Sequence, residues 1–325
     1  MKRRVLVAAR SFARSQAARA VLEAEGYELQ FNPYDRPLRE EELKELIRGA
    51  AALVAGNDAV TGAVIAAGAP TLRIIAKHGV GYNNIDVTAA GEYGIPVTVT
   101  PGANSKSVAD LAMGLMLAVS RRIPQMDHSV RAGAWSRITG SELNGKVLGI
   151  VGMGSIGGEV AKRACGFDMK IIASDIRPRQ EYAERYGVSY LSLPEVLAGA
   201  DYLTLHAPAG PETAGMINKD TLRTMKKSAY LINTARGDLI VEEDLYEALL
   251  QGIIAGAALD TYACEPLRDS RWFGLDNVVL TPHTGANTYE AVDRTGVMAA
   301  EEVARVLSGR RPRHSVTPAK SRRMS

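Results

Sequence analysis

The stretch that decides the fold runs Val147-Leu148-Gly149-Ile150-Val151-Gly152-Met153-Gly154-Ser155-Ile156-Gly157-Gly158. An apolar run typical of a β-strand ends in a Gly-x-Gly-x-x-Gly turn, and a helical pattern follows at once. Gly152 permits a tight turn, Gly154 lets the backbone approach a pyrophosphate, and Gly157 lets the helix pack closely on the strand. The N-terminus of that helix offers free N–H groups to phosphates. The stretch therefore predicts a dinucleotide-binding strand–turn–helix unit.

A carboxylate at the end of the next apolar run supports this interpretation. Lys170–Ala173 has the pattern of a second strand, and Asp175 follows it. An acidic residue in this place accepts hydrogen bonds from the hydroxyls of the adenosine ribose, and its charge repels a 2′-phosphate. NAD is therefore the expected cofactor, although Arg177 lies close by. Gly makes up 31 of the 325 residues, so a plain glycine-rich turn is the alternative.

Apolar runs and helical patterns alternate along most of the chain, which is typical of βα units on a parallel sheet. In the series that begins at the glycine turn we expect six strands, at 147–151, 170–173, 202–205, 229–232, 254–258 and 278–280. Residues 1 to about 100 alternate in the same way without a glycine turn of their own. A long helix over Ser105–Arg121 contains several small residues that permit close packing, and 286–307 is a final amphipathic helix.

Length and composition indicate an ordinary globular protein of about two domains, with 46% hydrophobic and 23% charged residues. The apolar run near the N-terminus is too short for a signal peptide, and no run reaches the length of a membrane span. Cys165 and Cys264 have neither zinc-ligand nor disulfide spacing, so we expect no metal and a cytoplasmic location. The net charge of +3 owes much to basic residues in 310–323. We expect that tail to be a solvated, disordered terminus that binds neither nucleic acid nor membrane.

Three polar side chains follow three predicted strands of the second series. Arg236 comes after 229–232, Glu265 after 254–258 and His283 after 278–280. In such folds ligands bind at the carboxyl ends of the strands. An Arg there can clamp a carboxylate with two hydrogen bonds, and a His with a carboxylate behind it can move a proton near neutral pH. These residues are the candidate catalytic set; solvated loop residues without a role are the alternative.

Other histidines and cysteines are weaker candidates. His206 ends the strand 202–205, where a crevice position and a structural one are both open. His78 lies in a glycine-containing turn, Lys77-His78-Gly79-Val80-Gly81, whose N–H groups could bind an anion. We expect His128 and His314 to be exposed to solvent. Cys264 adjoins Glu265, but no His–Cys pairing is recognisable, so a nucleophilic role is not indicated.

Over about residues 4 to 307 the chain resembles the D-isomer-specific 2-hydroxyacid dehydrogenase family, and within it the phosphoglycerate-dehydrogenase-like members. Several separate motifs in the right order carry this resemblance. They are His78–Asp86, Asn104–Asp110, the glycine turn, Leu205-His206-Ala207-Pro208 with Thr213, Asn233–Gly237, Ala258-Leu259-Asp260, Glu265-Pro266 and Thr281-Pro282-His283.

The resemblance implies two Rossmann-like or flavodoxin-like parallel-sheet domains, with an NAD-binding domain (102–285) inserted in a substrate domain (1–101 and 286–325). It implies that Arg236 binds the carboxylate and carbonyl of the substrate, that His283 is the acid/base, and that Glu265 is its partner. The backbone of Val80 and Gly81 would bind the substrate carboxylate. The implied cofactor-binding residues are Gly152, Gly154, Ser155, Ile156, Gly157, Asp175, His206, Pro208, Thr213, Thr234, Ala235, Asp260 and Gly285. It also implies a homodimer formed through the NAD-binding domain.

The sequence departs from the family pattern at some positions. Asn83 replaces the commoner Asp, Asp110 replaces Glu, and Thr261-Tyr262-Ala263-Cys264 replaces the commoner Val-Phe-acidic run before the Glu. We expect these changes to affect substrate fit more than mechanism. Since the sequence ends at residue 325, we expect a short form without the regulatory domain of longer phosphoglycerate dehydrogenases.

The expected reaction is hydride transfer between the nicotinamide and C2 of a D-2-hydroxy acid or 2-oxo acid. The substrate is left open among 3-phosphoglycerate, hydroxypyruvate, glyoxylate and longer 2-oxo acids. A non-enzymatic NAD-sensing binding module of the corepressor kind is a second hypothesis, which the Arg–Glu–His set argues against. Formate or phosphite dehydrogenase is a third; a formate enzyme would be expected to have Gln in place of Glu265.

Overall fold

The computed structural model describes residues 2–318. The chain divides into two compact units, each described in its own right below. The first unit comprises the residues up to Asn104 together with those from Ala286 onward, and the second comprises Ser105–Gly285. No helix in 2–318 is long and apolar enough to cross a bilayer.

The first unit is built on a parallel sheet. Its strands are β1 (Arg4–Val7), β2 (Glu28–Phe31), β3 (Ala52–Ala55), β4 (Ile74–Lys77) and β5 (Val97–Thr98). They lie in the order β2-β1-β3-β4-β5, the flavodoxin-like order. The helices between them are α1 (Arg10–Arg14), α2 (Gln16–Ala24), α3 (Glu40–Leu46), α4 (Gly62–Gly68) and α5 (Val87–Glu92).

Alternate side chains of these strands pack on opposite faces of the sheet. Leu6 and Leu53 belong to one buried apolar cluster, whereas Val5, Val7 and Val54 belong to the other. Successive residues of a strand point to opposite faces, so a strand buried on both faces must be apolar throughout. This burial accounts for the short apolar runs that alternate with helical patterns in residues 1 to about 100.

The second unit contains a wider parallel sheet. Its strands are β6 (Val147–Val151), β7 (Lys170–Ser174), β8 (Ser189–Tyr190), β9 (Tyr202–Leu205), β10 (Tyr230–Asn233), β11 (Gly256–Leu259) and β12 (Val278–Leu280). Its helices are α6 (Ser105–Ser120), α7 (Ile123–Arg131), α8 (Ser155–Ala164), α9 (Gln180–Tyr186), α10 (Leu193–Gly199), α11 (Lys219–Thr224) and α12 (Glu242–Leu250). The strand order is β12-β11-β10-β9-β6-β7-β8.

This order makes β6 the strand at which the direction of winding reverses. From β6 the chain builds outward to β7 and β8, and it then returns to add β9 on the other side. A crevice forms at such a switch point, outside the carboxyl ends of the strands. The two parallel sheets confirm the predicted fold class, and the glycine turn follows the strand at the switch point.

The chain returns to the first unit in α13 (Tyr289–Leu307). This helix crosses α2 closely, because a Cβ on Gly296 would lie 2.7 Å from the Cβ of Ala18. The segment after α13 then pairs with β5: Val99 N–H donates to His314 O at 3.1 Å, and Val316 N–H donates to Val97 O at 2.8 Å. The prediction of a disordered terminus is therefore wrong as far as residue 318. The basic residues from Lys320 onward lie outside the described residues.

The sequence missed some elements of the second unit and of the first. The second unit has seven strands within the described residues, whereas the sequence predicted six. The additional strand is β8, which has only two residues and is too short to show a hydrophobic pattern. Helix α9 was missed because none of its residues is buried, so it has no apolar stripe. Helix α1 was missed because it has five residues and buries only Phe12.

Candidate active site

The glycine turn joins β6 to α8 and needs residues without side chains. Gly152 has a φ of +94°, and a Cβ there would lie 2.6 Å from the backbone after β9. A Cβ on Gly157 would lie 2.2 Å from the carbonyl oxygen of Gly152. A Cβ on Gly154, the N-cap of α8, would meet nothing within 4 Å. The N–H groups of Ser155 and Ile156 in the first turn of α8 therefore adjoin open space that an anion can enter.

Asp175 follows β7 and is fixed by two backbone N–H groups. Met153 N–H donates to Oδ2 at 2.5 Å, and Arg177 N–H donates to Oδ1 at 2.7 Å. Met153 lies inside the glycine turn, so this carboxylate ties the end of β7 to the turn. A carboxylate oxygen has more than one acceptor position. Asp175 can therefore still accept hydrogen bonds from ribose hydroxyls.

His206 and Thr234 place two polar atoms without partners at the ends of neighbouring strands. His206 follows β9; its Nε2 lies 2.9 Å from Thr204 Oγ1, whereas its Nδ1 is buried without a hydrogen-bond partner. Burial lowers the pKa of His206 to about 3, so the ring is neutral at physiological pH. Thr234 Oγ1, after β10, is also buried and unpartnered. Because buried polar atoms nearly always have partners, these two atoms are candidates for hydrogen bonds to a ligand.

Buried neutral histidines predict a loss of stability in acid. Burial lowers the pKa of His78 to about 4, whereas an unfolded histidine titrates near 6.5. Between these pH values the unfolded chain binds a proton that the folded chain does not, so stability falls as the pH drops. For each such histidine the fall is at most about 1.4 kcal/mol per pH unit.

The measurement is the midpoint of thermal unfolding between pH 7 and pH 4. The His78→Gln variant should lose less stability over this range than the unmodified protein. His128 is exposed, and the His128→Gln variant should lose as much as the unmodified protein. An equal loss in His78→Gln and His128→Gln would contradict a buried neutral His78.

His283 and Glu265 form a hydrogen-bonded pair. His283 Nδ1 lies 2.8 Å from Glu265 Oε2, and the other oxygen, Oε1, accepts from Tyr262 N–H at 3.2 Å. An ionised carboxylate only accepts, so Nδ1 carries the proton and Nε2 is left as the proton acceptor of the neutral ring. The side chains are 43% and 38% exposed, so the pair can reach both a ligand and bulk water. This is the arrangement of a general acid/base and its orienting carboxylate.

The turn that carries His283 is held by Asp260. His283 has a φ of +50°, a conformation that costs a residue with a side chain about 1 kcal/mol or more. The Asp260 carboxylate is buried and accepts from Thr281 Oγ1 at 2.6 Å, from Thr284 N–H at 2.8 Å and from Gly285 N–H at 2.9 Å. These bonds on both sides of His283 maintain its unusual backbone. The structure thus gives Asp260 and Gly285 a supporting role, while their contact with the cofactor remains a prediction.

Arg236 lies in the loop after β10. Its Nη1 donates to Ala235 O at 2.6 Å, and no carboxylate within 2–318 forms an ion pair with its guanidinium. The side chain is partly exposed, so most of its donors can bind an anionic ligand. The next residue, Gly237, packs so tightly that a Cβ would lie 2.0 Å from the carbonyl carbon of Tyr262. This contact fixes the Arg236 loop against the loop that leads to Glu265.

The remaining predicted binding residues lie in the loops that follow β4, β9 and β10. Pro208 is exposed after β9, and Thr213 Oγ1 donates to its carbonyl oxygen at 2.8 Å. Ala235 N–H donates to Asn233 Oδ1 at 3.0 Å. In the first unit Val80 and Gly81 follow β4; Val80 is 41% exposed. Their binding of a substrate carboxylate remains a prediction.

Three contributions were not predicted from the sequence. The backbone N–H of Met153 binds Asp175, Thr204 binds His206, and Tyr262 contacts Glu265. Two signals in the sequence could have indicated close contacts here. They are Gly237, directly after Arg236, and Tyr262, where the family more commonly has Phe. Among the residues described, no group of three or more His, Cys, Asp or Glu side chains could hold a metal ion.

The fold and this site define a class of protein: a dinucleotide-binding α/β protein with a hydrogen-bonded His–Glu pair and an arginine after successive strands. The residues fit a dinucleotide, since an open glycine turn, the Asp175 carboxylate after the next strand and two unpartnered buried polar atoms lie along one edge of the sheet. Residues 113–285 match the family described as D-isomer specific 2-hydroxyacid dehydrogenase, NAD binding domain. The chain belongs to this family, and NAD is its cofactor.

Named relatives agree with this assignment. The D-3-phosphoglycerate dehydrogenase of Methanocaldococcus jannaschii is 45% identical over 84% of this chain, but the match covers 52% of that protein. The chain thus spans about half the length of such relatives. The hydroxypyruvate reductase of Thermotoga maritima is 43% identical over 83% of this chain and 89% of its own. The crystal structure of a glyoxylate reductase from Paecilomyes thermophila superposes with a TM-score of 0.86 at 31% identity, over 97% of this chain and 98% of that one.

Proposed function

We propose that the protein is an NAD-dependent oxidoreductase that transfers a hydride between the nicotinamide and C2 of a D-2-hydroxy acid or 2-oxo acid. The observation that carries this proposal is the 2.8 Å hydrogen bond between His283 Nδ1 and Glu265 Oε2, on the sheet edge where the proposed cofactor-binding residues lie. A protein that only binds NAD needs no such proton-transfer pair. The chain's membership of a dehydrogenase family supports the same conclusion.

In this proposal three side chains act on the substrate. Arg236 binds the carboxylate and the C2 oxygen through paired N–H donors. His283 donates a proton from Nε2 to the C2 oxygen when a 2-oxo acid is reduced, and removes it when a hydroxy acid is oxidised. Glu265 keeps the proton on Nδ1 and stabilises the charged imidazolium. Bound NAD supplies the hydride acceptor or, as NADH, the donor.

We propose that the second unit holds NAD and that the first unit is the substrate domain. The N–H groups of Ser155 and Ile156 would bind the pyrophosphate, and Asp175 the adenosine ribose. His206 Nδ1 and Thr234 Oγ1 would find in the cofactor the partners that they lack within 2–318. Pro208, Thr213, Ala235, Asp260 and Gly285 would line the same crevice, and Val80 and Gly81 would bind the substrate carboxylate.

A substrate panel tests the proposed activity. The panel contains glyoxylate, hydroxypyruvate, 3-phosphohydroxypyruvate and a longer 2-oxo acid, each with NADH, and the corresponding D-hydroxy acids with NAD. The relatives named as phosphoglycerate dehydrogenase, hydroxypyruvate reductase and glyoxylate reductase motivate the first three. Turnover of at least one member is expected. A folded, NADH-binding protein that turns over none would instead favour an NAD-sensing binding module.

Asp175 predicts the choice between NAD and NADP. Its carboxylate should repel a 2′-phosphate, so we expect kcat/KM with NADH to exceed that with NADPH at least about tenfold. In the Asp175→Ala variant the ratio should fall towards one, because the repulsion is gone while Arg177 remains. Glu184 is an exposed acid on α9, and Glu184→Gln should keep the ratio of the unmodified protein. Comparable efficiencies of the unmodified protein with both cofactors would contradict this prediction.

We also propose a homodimer formed through the second unit. Helix α7 has no buried residue, and the exposed apolar side chains in and after it include Ile123, Val130 and Trp135, the last 77% exposed. A neighbouring group of exposed apolar residues marks an interaction surface. Light scattering should give twice the mass of one chain, and Val130→Ser combined with Trp135→Ser should shift the protein towards the monomer. A monomeric unmodified protein would refute this assembly.

The thiols of Cys165 and Cys264 are free and exposed. Free thiols are typical of a reducing compartment, so we propose that the protein works in the cytoplasm.

A further inference from the structure

Tyr262 contacts all three loops that carry the proposed catalytic residues. It lies after β11, between Asp260 and Glu265, and only 8% of its surface is exposed. Its sequence neighbourhood departs from the family pattern, which commonly has a Phe in this run. The family pattern therefore does not show what the hydroxyl and the backbone of Tyr262 do in this chain.

The first contact is with Glu265. The backbone N–H of Tyr262 donates to Glu265 Oε1 at 3.2 Å, while Oε2 of the same carboxylate accepts from His283 Nδ1 at 2.8 Å. With both of its oxygens bonded, the carboxylate has a defined rotation. The position of the Tyr262 backbone therefore sets the direction in which Glu265 presents Oε2.

The second contact is with the His283 turn. The Tyr262 hydroxyl lies 2.9 Å from Thr281 O and 3.1 Å from Leu259 O, so that its proton can be donated to either carbonyl. Thr281 lies at the end of β12 and Leu259 at the end of β11. Burial raises the pKa of Tyr262, and the nearby carboxylate of Asp260 raises it further, so the hydroxyl stays protonated and remains a donor. The backbone already joins these strand ends, because Thr281 N–H donates to Leu259 O at 2.9 Å. A Phe would fill the same space but would lack the additional bond of the hydroxyl to Thr281 O.

The third contact is with the Arg236 loop. A Cβ on Gly237 would lie 2.0 Å from the carbonyl carbon and 2.3 Å from the carbonyl oxygen of Tyr262. The two backbones are thus in direct contact, one residue after Arg236. The Tyr262 segment is secured from outside as well, because Ala263 N–H donates to Glu242 Oε1 at 2.7 Å.

From these contacts we infer that Tyr262 is a positioning residue, whose hydroxyl holds the His283 turn and the Glu265 loop in the relation that the proton transfer requires. It touches neither substrate nor cofactor in this role; it acts through Glu265 and His283. The inference rests on the proposed function for its effect on turnover, but the arrangement that it explains exists without substrate. Small displacements of a proton-transfer group lower the rate strongly, which gives the hydroxyl its importance.

The test is Tyr262→Phe, which removes the hydroxyl and keeps the ring. We expect kcat for a 2-oxo acid to fall about tenfold, while KM for the 2-oxo acid and Kd for NADH stay within about twofold. In ¹⁵N-histidine NMR spectra, the His283 Nδ1 proton should exchange with water several-fold faster than in the unmodified protein. The control is Tyr246→Phe, since Tyr246 packs against the same core beside Trp272 and donates no hydrogen bond in the described structure. All four quantities should be unchanged in it.

Wild-type kcat in Tyr262→Phe, or an unchanged exchange rate of the His283 proton, would overturn the inference. A second measurement does not depend on how the variant folds: in the unmodified protein the Tyr262 hydroxyl proton should be protected from exchange, and free exchange would overturn the inference too. If the unmodified protein turns over no 2-oxo acid, the proposed function fails. The exchange rate of the His283 proton then decides on the positioning role by itself.

Discussion

Replacing His283 with Ala is expected to lower kcat for reduction of the preferred 2-oxo acid by about 10²–10⁴-fold. In the proposed mechanism the imidazole, which lies 2.8 Å from Glu265 Oε2, donates the proton that the C2 oxygen needs as the hydride arrives. Without it, water must supply that proton without being positioned to do so. The measurement is steady-state kinetics with NADH, together with Kd for NADH from fluorescence. Because His283 acts on the substrate, Kd for NADH should change little.

The control for this variant is His128→Ala, which removes an exposed imidazole from α7 and should leave kcat unchanged. The Glu265→Gln variant should lose less activity than His283→Ala, because an amide can still bond to the ring but does not stabilise its charged form. A rate for His283→Ala equal to that of the unmodified protein would rule out the acid/base role.

Replacing Arg236 with Lys is expected to lower kcat/KM by about 10²-fold or more. A guanidinium presents two parallel N–H donors to a carboxylate, whereas an ammonium is a single point charge. Each hydrogen bond to a charged group contributes about 1.5–3 kcal/mol, so loss of one lowers the rate about 10- to 10²-fold, and weakening of both donors accounts for a reduction of this size. The contact of Gly237 with Tyr262 fixes the backbone next to Arg236. The loop therefore cannot shift to compensate for the shorter side chain of Lys. The measurement is the dependence of rate on 2-oxo acid concentration.

Arg223→Lys is the matched control for this change. Arg223 is exposed on α11, and its replacement should leave kcat/KM unchanged. The loss in Arg236→Lys should be smaller for an analogue that lacks the carboxylate, because only the contact of Arg236 with the C2 oxygen is then affected. An equal loss of affinity for NADH would show that Arg236 serves the cofactor instead, and would contradict its role as the substrate clamp.

Much of this architecture could be predicted because its signals are local in the sequence. Gly152 and Gly157 are required because a Cβ on either would clash with backbone. That backbone lies a few residues away in the sequence for Gly157 and directly after the adjacent strand for Gly152. Buried parallel strands appear as short apolar runs, and Arg236, Glu265 and His283 each lie in the loop that follows such a run. Parallel strands bring their carboxyl ends to one edge of the sheet, so the sequence placed Glu265 and His283 at the same edge, whereas the order of the strands came only from the structure.

The features that escaped prediction depend on which segments meet in three dimensions. Asp260 was predicted as a cofactor contact, and nothing in the sequence showed that its carboxylate would bind the turn around His283. Tyr262 was noted only as a departure from the family pattern, because its bond to Thr281 joins residues that follow two different strands. The ordered pairing of His314 and Val316 with β5 is also a long-range contact. Charge alone had predicted disorder there.

The most direct test of hydride transfer to C2 is a transfer experiment with NADH that carries deuterium at C4 of the nicotinamide. The unmodified protein is incubated with this NADH and each 2-oxo acid of the panel, and the products are examined by NMR and mass spectrometry. The account predicts a D-2-hydroxy acid with deuterium bonded to C2, and none of it with His283→Ala on the same timescale. A folded protein that binds NADH but yields no deuterated hydroxy acid from any member would contradict the account.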